Sequence, residues 1–579
     1  MNRREAIQLM IIAGLASDAT LLSQSVHPAA LPGSTSLRTT RLRCEYRTDP
    51  FGIDVTRPRL SWILENTDVG QRNLRQSAYH ILVASSLEGL ESGRGDLWDS
   101  GKVLSGTSIQ IEYAGKPLAS RMRAWWKVKV WDQAGQSSAW SQPAAWSMGL
   151  LDPTDWQAKW IGLDGGAGIA EEIEDAHWIS SSDPGNGPRS FQGIFNVPTD
   201  NPVSSGIMMI TGSNAITVFV NGTKISSAAG RSMPQLVAAD ITSTLHVGDN
   251  FVAVAIEPGS SQLPPRIIGG LTLDLADGTI LHLRTGENWK VSDREATEVP
   301  ERDLNDAGWS TAHVVDLPVP DALPPVRTRL PARLLRKEFK LSGQVRRATA
   351  YISGVGVYEL YINGRQISDE VLAPNLSDYD KRVYYRTHDV SEFLQTGSNA
   401  VGVFLGNGRY FSLRNYIPHT QTFGYPKLIL QIEIEFENGS TQILFSNDTW
   451  KITSDGPIRA NNEYDGEEYD ARLELDGWNQ VAYSDAAWQA AELVDAPTGR
   501  LSAQMNGPIR VVHEMKRVKI TQPRPGVYVF DMGQNMVGWC RMHVAGTRGT
   551  RIRLRHAETL RDDGMLYTDN LRSARATDI

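Results

Sequence analysis

Two stretches of this chain are degenerate copies of one another, and that repeat constrains the fold more than any other feature. TGSNAITVFVNGTKI (Thr211–Ile225) aligns with SGVGVYELYINGRQI (Ser353–Ile367), with Gly212 on Gly354 and Asn221-Gly222 on Asn363-Gly364. Both pairs lie 142 residues apart (354 − 212 and 363 − 221). ADITSTLHVGDNFVAVAI then aligns with HDVSEFLQTGSNAVGVFL, Asp240 on Asp389 and Gly248 on Gly397, at an offset of 149. ENWKVSD follows on DTWKITSD, Trp289 on Trp450, and DAGW, ending at Trp309, on DAAW, ending at Trp488. The order is kept and the offset only grows, which predicts two copies of one fold, the second with longer loops. In each copy a strand runs into Asn-Gly, a tight-turn signal between antiparallel strands. The expectation is therefore a β-sandwich over 155–320 and another over 328–500. LPVPDALPPVRTRLP between them reads as an extended, semi-rigid connector.

The rest of the chain follows the same style of short alternating runs broken by Gly, Asn, Asp and Pro. RPRLSWIL, SAYHILVAS and RMRAWWKVKVWD (Arg121–Asp132) make 41–150 a small two-sheet sandwich, which resembles a fibronectin type III module in KVKVWDQAGQSSAWS. Residues 505–579 are again strands and turns, with RIRLRHAETL expected to be a half-exposed strand. An all-β array of four units fits 579 residues, for which three to five domains is the prior. The net charge of −8 argues against a nucleic-acid partner. Sixteen Trp fit sandwich cores, with sugar handling as the alternative. Cys44 and Cys540 have no metal-ligand spacing and are expected to be free, buried thiols. Residues 1–30 read as a leader: Arg3 and Arg4 precede an apolar run, Ala6–Ala16, too short to span a bilayer. This twin-arginine pattern predicts export to the periplasm or beyond, and no other segment predicts a membrane span.

Candidate chemistry concentrates in NNEYDGEEYDARLE, where Glu463, Asp465, Glu467, Glu468 and Asp470 fall within eight residues. An inverting glycosidase needs one protonated and one ionised carboxyl. Asp465 and Glu467 flank Gly466 on an expected turn, where solvation ionises both, and Arg472 is placed to pair with one of these acids. The reading is an arginine-tied acidic loop that docks against a neighbouring domain, with a supporting place at an active-site rim as the alternative. GNGRYF (Gly406–Phe411) supplies Asn407 and Tyr410 as candidate substrate-binding residues, since an aromatic face stacks on sugar C–H groups. A core aromatic beside a tight glycine turn is the alternative. His556-Ala-Glu558 is half of a zinc motif on an alternating strand, without partners.

LLRKEFKLSGQVRRATAYISGVGVYELYINGRQI, LAPNLSDYDKRVYYRTHDVSEFL, GSNAVGVFLGNGRYF and NEYDGEEYDARLELDGWN together resemble the N-terminal β-domain of bacterial α-L-rhamnosidases of glycoside hydrolase family 78. VYVFDMGQNMVGWCRMHVAGTRGTRIRLRHAETLRDDGMLYTDNLRSARATD resembles the concanavalin-like domain that follows it. The resemblance implies hydrolysis of terminal α-L-rhamnose with inversion. It also implies that the catalytic carboxylates lie on an (α/α)₆ barrel C-terminal to these domains, so that no catalytic residue is expected here and 505–579 is a partial sandwich. Rhamnose-containing glycans and that barrel are the expected partners. The first repeat is a possible carbohydrate-binding module, calcium being possible but unassigned and no other cofactor implied. The alternative is an exported, non-catalytic carbohydrate-binding protein.

Overall fold

The computed structural model describes residues 35–68, 70–163, 173, 175–228, 235–258, 264–275, 279–292, 309–317, 330–411, 423–571, 574 and 576–579. The leader, most of the proline-rich connector and Asp306 of DAGW lie outside the described residues. The chain forms two compact units. One comprises the described residues up to Leu163 with Pro331–Tyr410 and Tyr425–Ile579; the other takes those within Asp164–Leu330 and Phe411–Gly424.

The first unit opens with the predicted small sandwich. Leu37–Cys44, Arg59–Asn66 and Ile111–Glu112 form one sheet, and Trp98–Asp99, Gln76–Ala84, Arg123–Asp132 and Ala144–Ser147 the other. In RAWWKVKVWD every second residue faces inward, so Ala124, Trp126, Val128 and Val130 pack with Trp62, Ile81 and Trp146. Full burial of such side chains contributes about 1.5–3 kcal/mol each. Lys127 breaks the alternation, and its buried ammonium donates to the Leu90 carbonyl at 2.6 Å.

The two repeats have the same strand order. In the second unit one sheet runs Thr223–Ala228, Ile216–Val220, Gly248–Ile256, Arg189–Val197, Lys290–Ser292, Ser310–Thr311. In the first unit its counterpart runs Arg365–Gln366, Val357–Ile362, Gly397–Gly406, Arg333–Leu341, Lys451–Thr453, Gln489–Ala490. The Asn-Gly turns correspond in detail. Asn221 and Asn363 sit at φ +49° and +51°, followed by Gly222 and Gly364 at +79° and +80°. Asn221 Nδ2 donates to Asn250 Oδ1 at 2.8 Å, as Asn363 Nδ2 does to Asn399 Oδ1 at 2.8 Å. Trp289 and Trp450 are fully buried, their indole N–H groups donating to the Arg284 and Phe445 carbonyls at 2.9 and 3.0 Å.

The boundary expected at 155 moves. Ile161–Gly162 pairs with Lys427–Leu428 and with Glu492–Leu493, so it belongs to the second repeat, which also gains a parallel edge strand, Arg500–Ala503 on Arg382–Tyr385. The first repeat uses Trp178–Ser180 in the place that Ile161–Gly162 fills in the second. The N-terminal sandwich is fastened to the second repeat within the same unit. Arg121 Nε reaches both Glu433 oxygens at 2.9 and 2.7 Å, its Nη1 reaches Asp155 at 2.6 Å, and the Tyr385 hydroxyl accepts from the Leu150 amide at 3.0 Å.

Residues from 505 onward form short hairpins, Lys519–Arg524 with Val527–Asp531 and Thr559–Leu560 with Leu566–Tyr567. RIRLRHAETL contributes only Leu554–Arg555 and Thr559–Leu560 as strand, and most of it is exposed. Cys44 is buried as expected, but Cys540 is exposed, because its neighbourhood is a surface run with Trp539 and Val537 also exposed. Among the described residues no helix is long and apolar enough to cross a membrane.

Candidate functional site

The acidic stretch folds as a hairpin, Ile458–Asn462 paired with Gly466–Tyr469. Asn462 makes its turn: Oδ1 accepts from the Tyr464 and Asp465 amides at 2.9 and 2.8 Å, and Nδ2 donates to Asp465 Oδ2 at 2.9 Å. Gly466 has φ +101°, and a Cβ there would lie 2.1 Å from the Thr577 carbonyl oxygen. That close approach requires glycine.

The turn is used for docking. The Thr577 amide donates to the Asp465 carbonyl at 2.9 Å, Ile579 N–H to the Glu467 carbonyl at 2.9 Å, and Tyr469 N–H to the Ile579 carbonyl at 2.8 Å. The Glu467 amide donates to Asp578 Oδ1 at 2.9 Å, and His556 Nε2 lies 2.9 Å from Asp578 Oδ2. This ion pair raises the His556 pKa and lowers that of Asp578. Arg472 grips Asp470 bidentately, with Nε and Nη2 at 2.8 and 2.6 Å, and holds its carboxyl down at about 2. The arginine pairing expected from the sequence is present, and the carboxylate it takes is Asp470.

Glu463, which the sequence does not single out, behaves differently. Partial desolvation raises its pKa, against the opposing pull of the Arg409 charge, although the residue keeps an exposed face. Its charge and burial together push up the Tyr379 hydroxyl, and the Tyr379 ring meets Tyr410 edge-on at 5.1 Å. Beside them Asn461 Oδ1 accepts from the Asn407 amide at 2.6 Å, while Asn461 Nδ2 is buried without a hydrogen-bond partner among the described residues. The GNG turn fits here because Gly356, at φ +112°, clears the Gly406 carbonyl; a Cβ would approach it to 2.1 Å. The structure thus gathers Asn407, Arg409 and Tyr410 with Asn461 and Glu463. Tyr410 and Asn407 are 3% and 2% exposed, so they form the interior wall of this cluster, and its accessible groups come from Arg409 and Glu463. Only a contact across 54 residues of sequence creates it, and a local motif carries no such signal. Chemically the cluster offers one carboxyl held toward its neutral form and a neighbouring guanidinium. Among the described residues no group of three His, Cys, Asp or Glu side chains is arranged to hold a metal ion.

Comparison with known proteins brings in three domain families. Residues 343–513 match the alpha-L-rhamnosidase N-terminal domain, 39–152 the Rha78A-like N-terminal immunoglobulin domain, and 521–579 the bacterial alpha-L-rhamnosidase concanavalin-like domain. An alpha-L-rhamnosidase of Streptomyces avermitilis is 37% identical over 568 residues, which is 94% of this chain and 53% of that protein. One from Formosa agariphila is 27% identical across 92% of this chain and 41% of its own length. The chain thus spans about half the length of the relatives it matches. Among solved structures, the Streptomyces avermitilis alpha-L-rhamnosidase complexed with L-rhamnose superposes with a TM-score of 0.69 at 36% identity, over 94% of this chain and 53% of that one. The alpha-L-rhamnosidase from Dictyoglumus thermophilum gives 0.60 at 29%, over 94% and 44%.

Proposed function

This chain carries the immunoglobulin-like, N-terminal and concanavalin-like domains of the bacterial α-L-rhamnosidase family, and from that premise we propose that it is the accessory portion of an exported enzyme that releases terminal α-L-rhamnose with inversion. The observation that carries this reading is the ordered succession of three family domains along one chain, shared with relatives of that activity. In this reading the bond-breaking carboxylates belong to a helical barrel beyond these β-domains, and the domains position it and grip rhamnosylated glycans. The first repeat serves as the sugar-binding module, with calcium unassigned. Asn407 and Tyr410 back the Arg409–Glu463 pair at the rim of the substrate site.

Support for a non-catalytic hairpin comes from its bonding. Asp470 is neutralised by Arg472, and the backbone of Asp465 and Glu467 is occupied by the 577–579 strand. A retained proton requires enclosure or a like charge, and a second carboxylate must stand across a water-sized gap of about 6.5–9.5 Å. The purified chain is expected to release no nitrophenol from nitrophenyl α-L-rhamnoside above the uncatalysed background. Turnover that disappears in Asp465→Ala, Glu467→Ala or Glu463→Gln would overturn the accessory reading.

A further inference from the structure

Three segments far apart in sequence converge on one buried carboxylate of the first unit. Glu370 and Arg386 are each 7% exposed, and Arg386 grips the carboxylate with Nε, at 2.9 Å, and with Nη2. Arg510 reaches the same Glu370 oxygen as Arg386 Nη2, at 3.4 Å, and sets its Nε 2.7 Å from the exposed Asp369. Arg47, from the N-terminal sandwich, donates to the Gln504 carbonyl at 3.4 Å. Burial and the charges of Arg386 and Arg510 lower its pKa, against the pull of Glu370. Beside them His388 meets the Tyr358 hydroxyl at 3.2 Å, and burial pushes its pKa down to about 4, so near neutral pH it carries no charge. Around this centre the chain from Ala503 to Arg510 is tied down. The Ala503 amide donates to Asp54 Oδ2 at 2.9 Å, the Gln504 amide to the Tyr385 carbonyl at 3.0 Å, and the Val371 amide to the Ile509 carbonyl at 3.0 Å. Asn375 adds two bonds, its amide donating to Gln504 Oε1 at 2.9 Å and its Nδ2 to the Gly507 carbonyl at 3.0 Å. The loop that receives this segment is strained. Leu372 has φ +54°, a left-handed backbone that a non-glycine residue keeps only where its surroundings over-determine it.

We infer that residues 503–510 form a strap that opens as one cooperative element, and that the Glu370 carboxylate, shared by Arg386 and Arg510, holds it closed. Without that carboxylate Arg386 is left buried and unpaired, and Arg510 faces it with no common counter-charge. The strained loop at Leu372 then favours release. The strap leads into the concanavalin-like hairpins that begin at Lys519, so its opening loosens one attachment of those hairpins to the second repeat and leaves the other, the 577–579 strand on the acidic hairpin. The device does not rest on rhamnoside hydrolysis. Amide hydrogen exchange on the whole chain tests it. Glu370→Gln should speed exchange of the Val371 and Gln504 amides together, at least about tenfold, and leave Val401, buried in the core of the same repeat, unchanged. Arg510→Gln should speed both about threefold or more. The double variant should exchange at most about twofold faster than Glu370→Gln, since the two changes act through one contact. Asp369→Asn, which touches only the exposed edge of Arg510, should alter either amide less than about twofold. Should Glu370→Gln fail to fold, Arg510→Gln, on a side chain 44% exposed, decides. Unchanged Val371 exchange in Arg510→Gln, separate responses of Val371 and Gln504, an equal rise at Val401, or Asp369→Asn matching Glu370→Gln would overturn the assignment.

Discussion

The two repeats share strand order, Asn-Gly turns and the buried Trp, yet one face of the second is chemically different. Strand pairing puts Arg347 opposite Glu435, Thr349 opposite Glu433 and Tyr351 opposite Gln431. The matching positions of the first repeat pair Ser205 with Asp274, Ile207 with Thr272 and Met209 with Gly270. Position 387 is Thr where the first repeat has Ala238. The inward residues stay apolar in both copies, so the hydrophobic sandwich is preserved while the outer face is free to change. In the second repeat that face fastens the N-terminal sandwich through Arg121. The GNG turn is likewise special to it, since Gly406 and Asn407 stand where the first repeat has Glu257 and Pro258. The scaffold is generic, and the specialisation lies in loops and one outward face.

The sharpest way to break this equivalence is at the shared core. Trp289→Ala and Trp450→Ala should each cost about 3–5 kcal/mol, read as the loss of one unfolding transition in a denaturant titration, each in its own unit. A large loss in one and a small loss in the other would mean that the cores are not equivalent. A smaller contrast concerns the outer faces. Glu433→Ala leaves Arg121 with Asp155 alone and should cost about 1.5–3 kcal/mol, seen as faster amide exchange at Leu150–Asp155. Thr272→Ala at the matching position should cost under about 1 kcal/mol. Equal costs would remove the distinction drawn here. The least effect is the pH response of the docked tail, which has no counterpart among the described residues of the first repeat. His556, with its pKa raised above about 6.5 by Asp578, stabilises at low pH and loses that contribution as pH rises through its folded value. Asp578, lowered below about 3.8 by the same contact, stabilises above that value and loses the contribution as pH falls through its folded pKa. Protection of the Tyr469 and Ile579 amides should therefore be greatest between about pH 4 and 6.5 and decline on both sides, while that of Ala400 stays level. A flat profile at Tyr469 would place the docking energy in the backbone bonds alone.

Much of the fold is legible in the sequence because the repeat carries turn residues whose backbone demands are strict. Asn221 and Asn363 must occupy left-handed conformations, and only a few residue types do so readily. What is not legible depends on distant pairing. Ile161–Gly162 is a two-residue strand whose partners lie more than 260 residues away (427 − 162), so it reads as the start of the nearer repeat. The cluster around Glu463 is hidden for the same reason: Asn461 meets Asn407 only after folding. Arg472 pairs locally, and the sequence anticipates an acidic partner without fixing that it is Asp470. Cys540 illustrates the opposite error, a residue type usually buried that here lies on an exposed irregular run.

The assignment of Ile161–Gly162 to the later sheet has a temporal consequence. A ribosome delivers these residues long before their partners, and the sheet closes only when Arg500–Ala503 has emerged. At about 5–20 residues per second, the 340 residues between (503 − 163) take roughly 17–70 s. Throughout that interval the nascent sandwich waits with one margin open while the inserted copy, whose sheets lie within Trp178–Val315, can mature first.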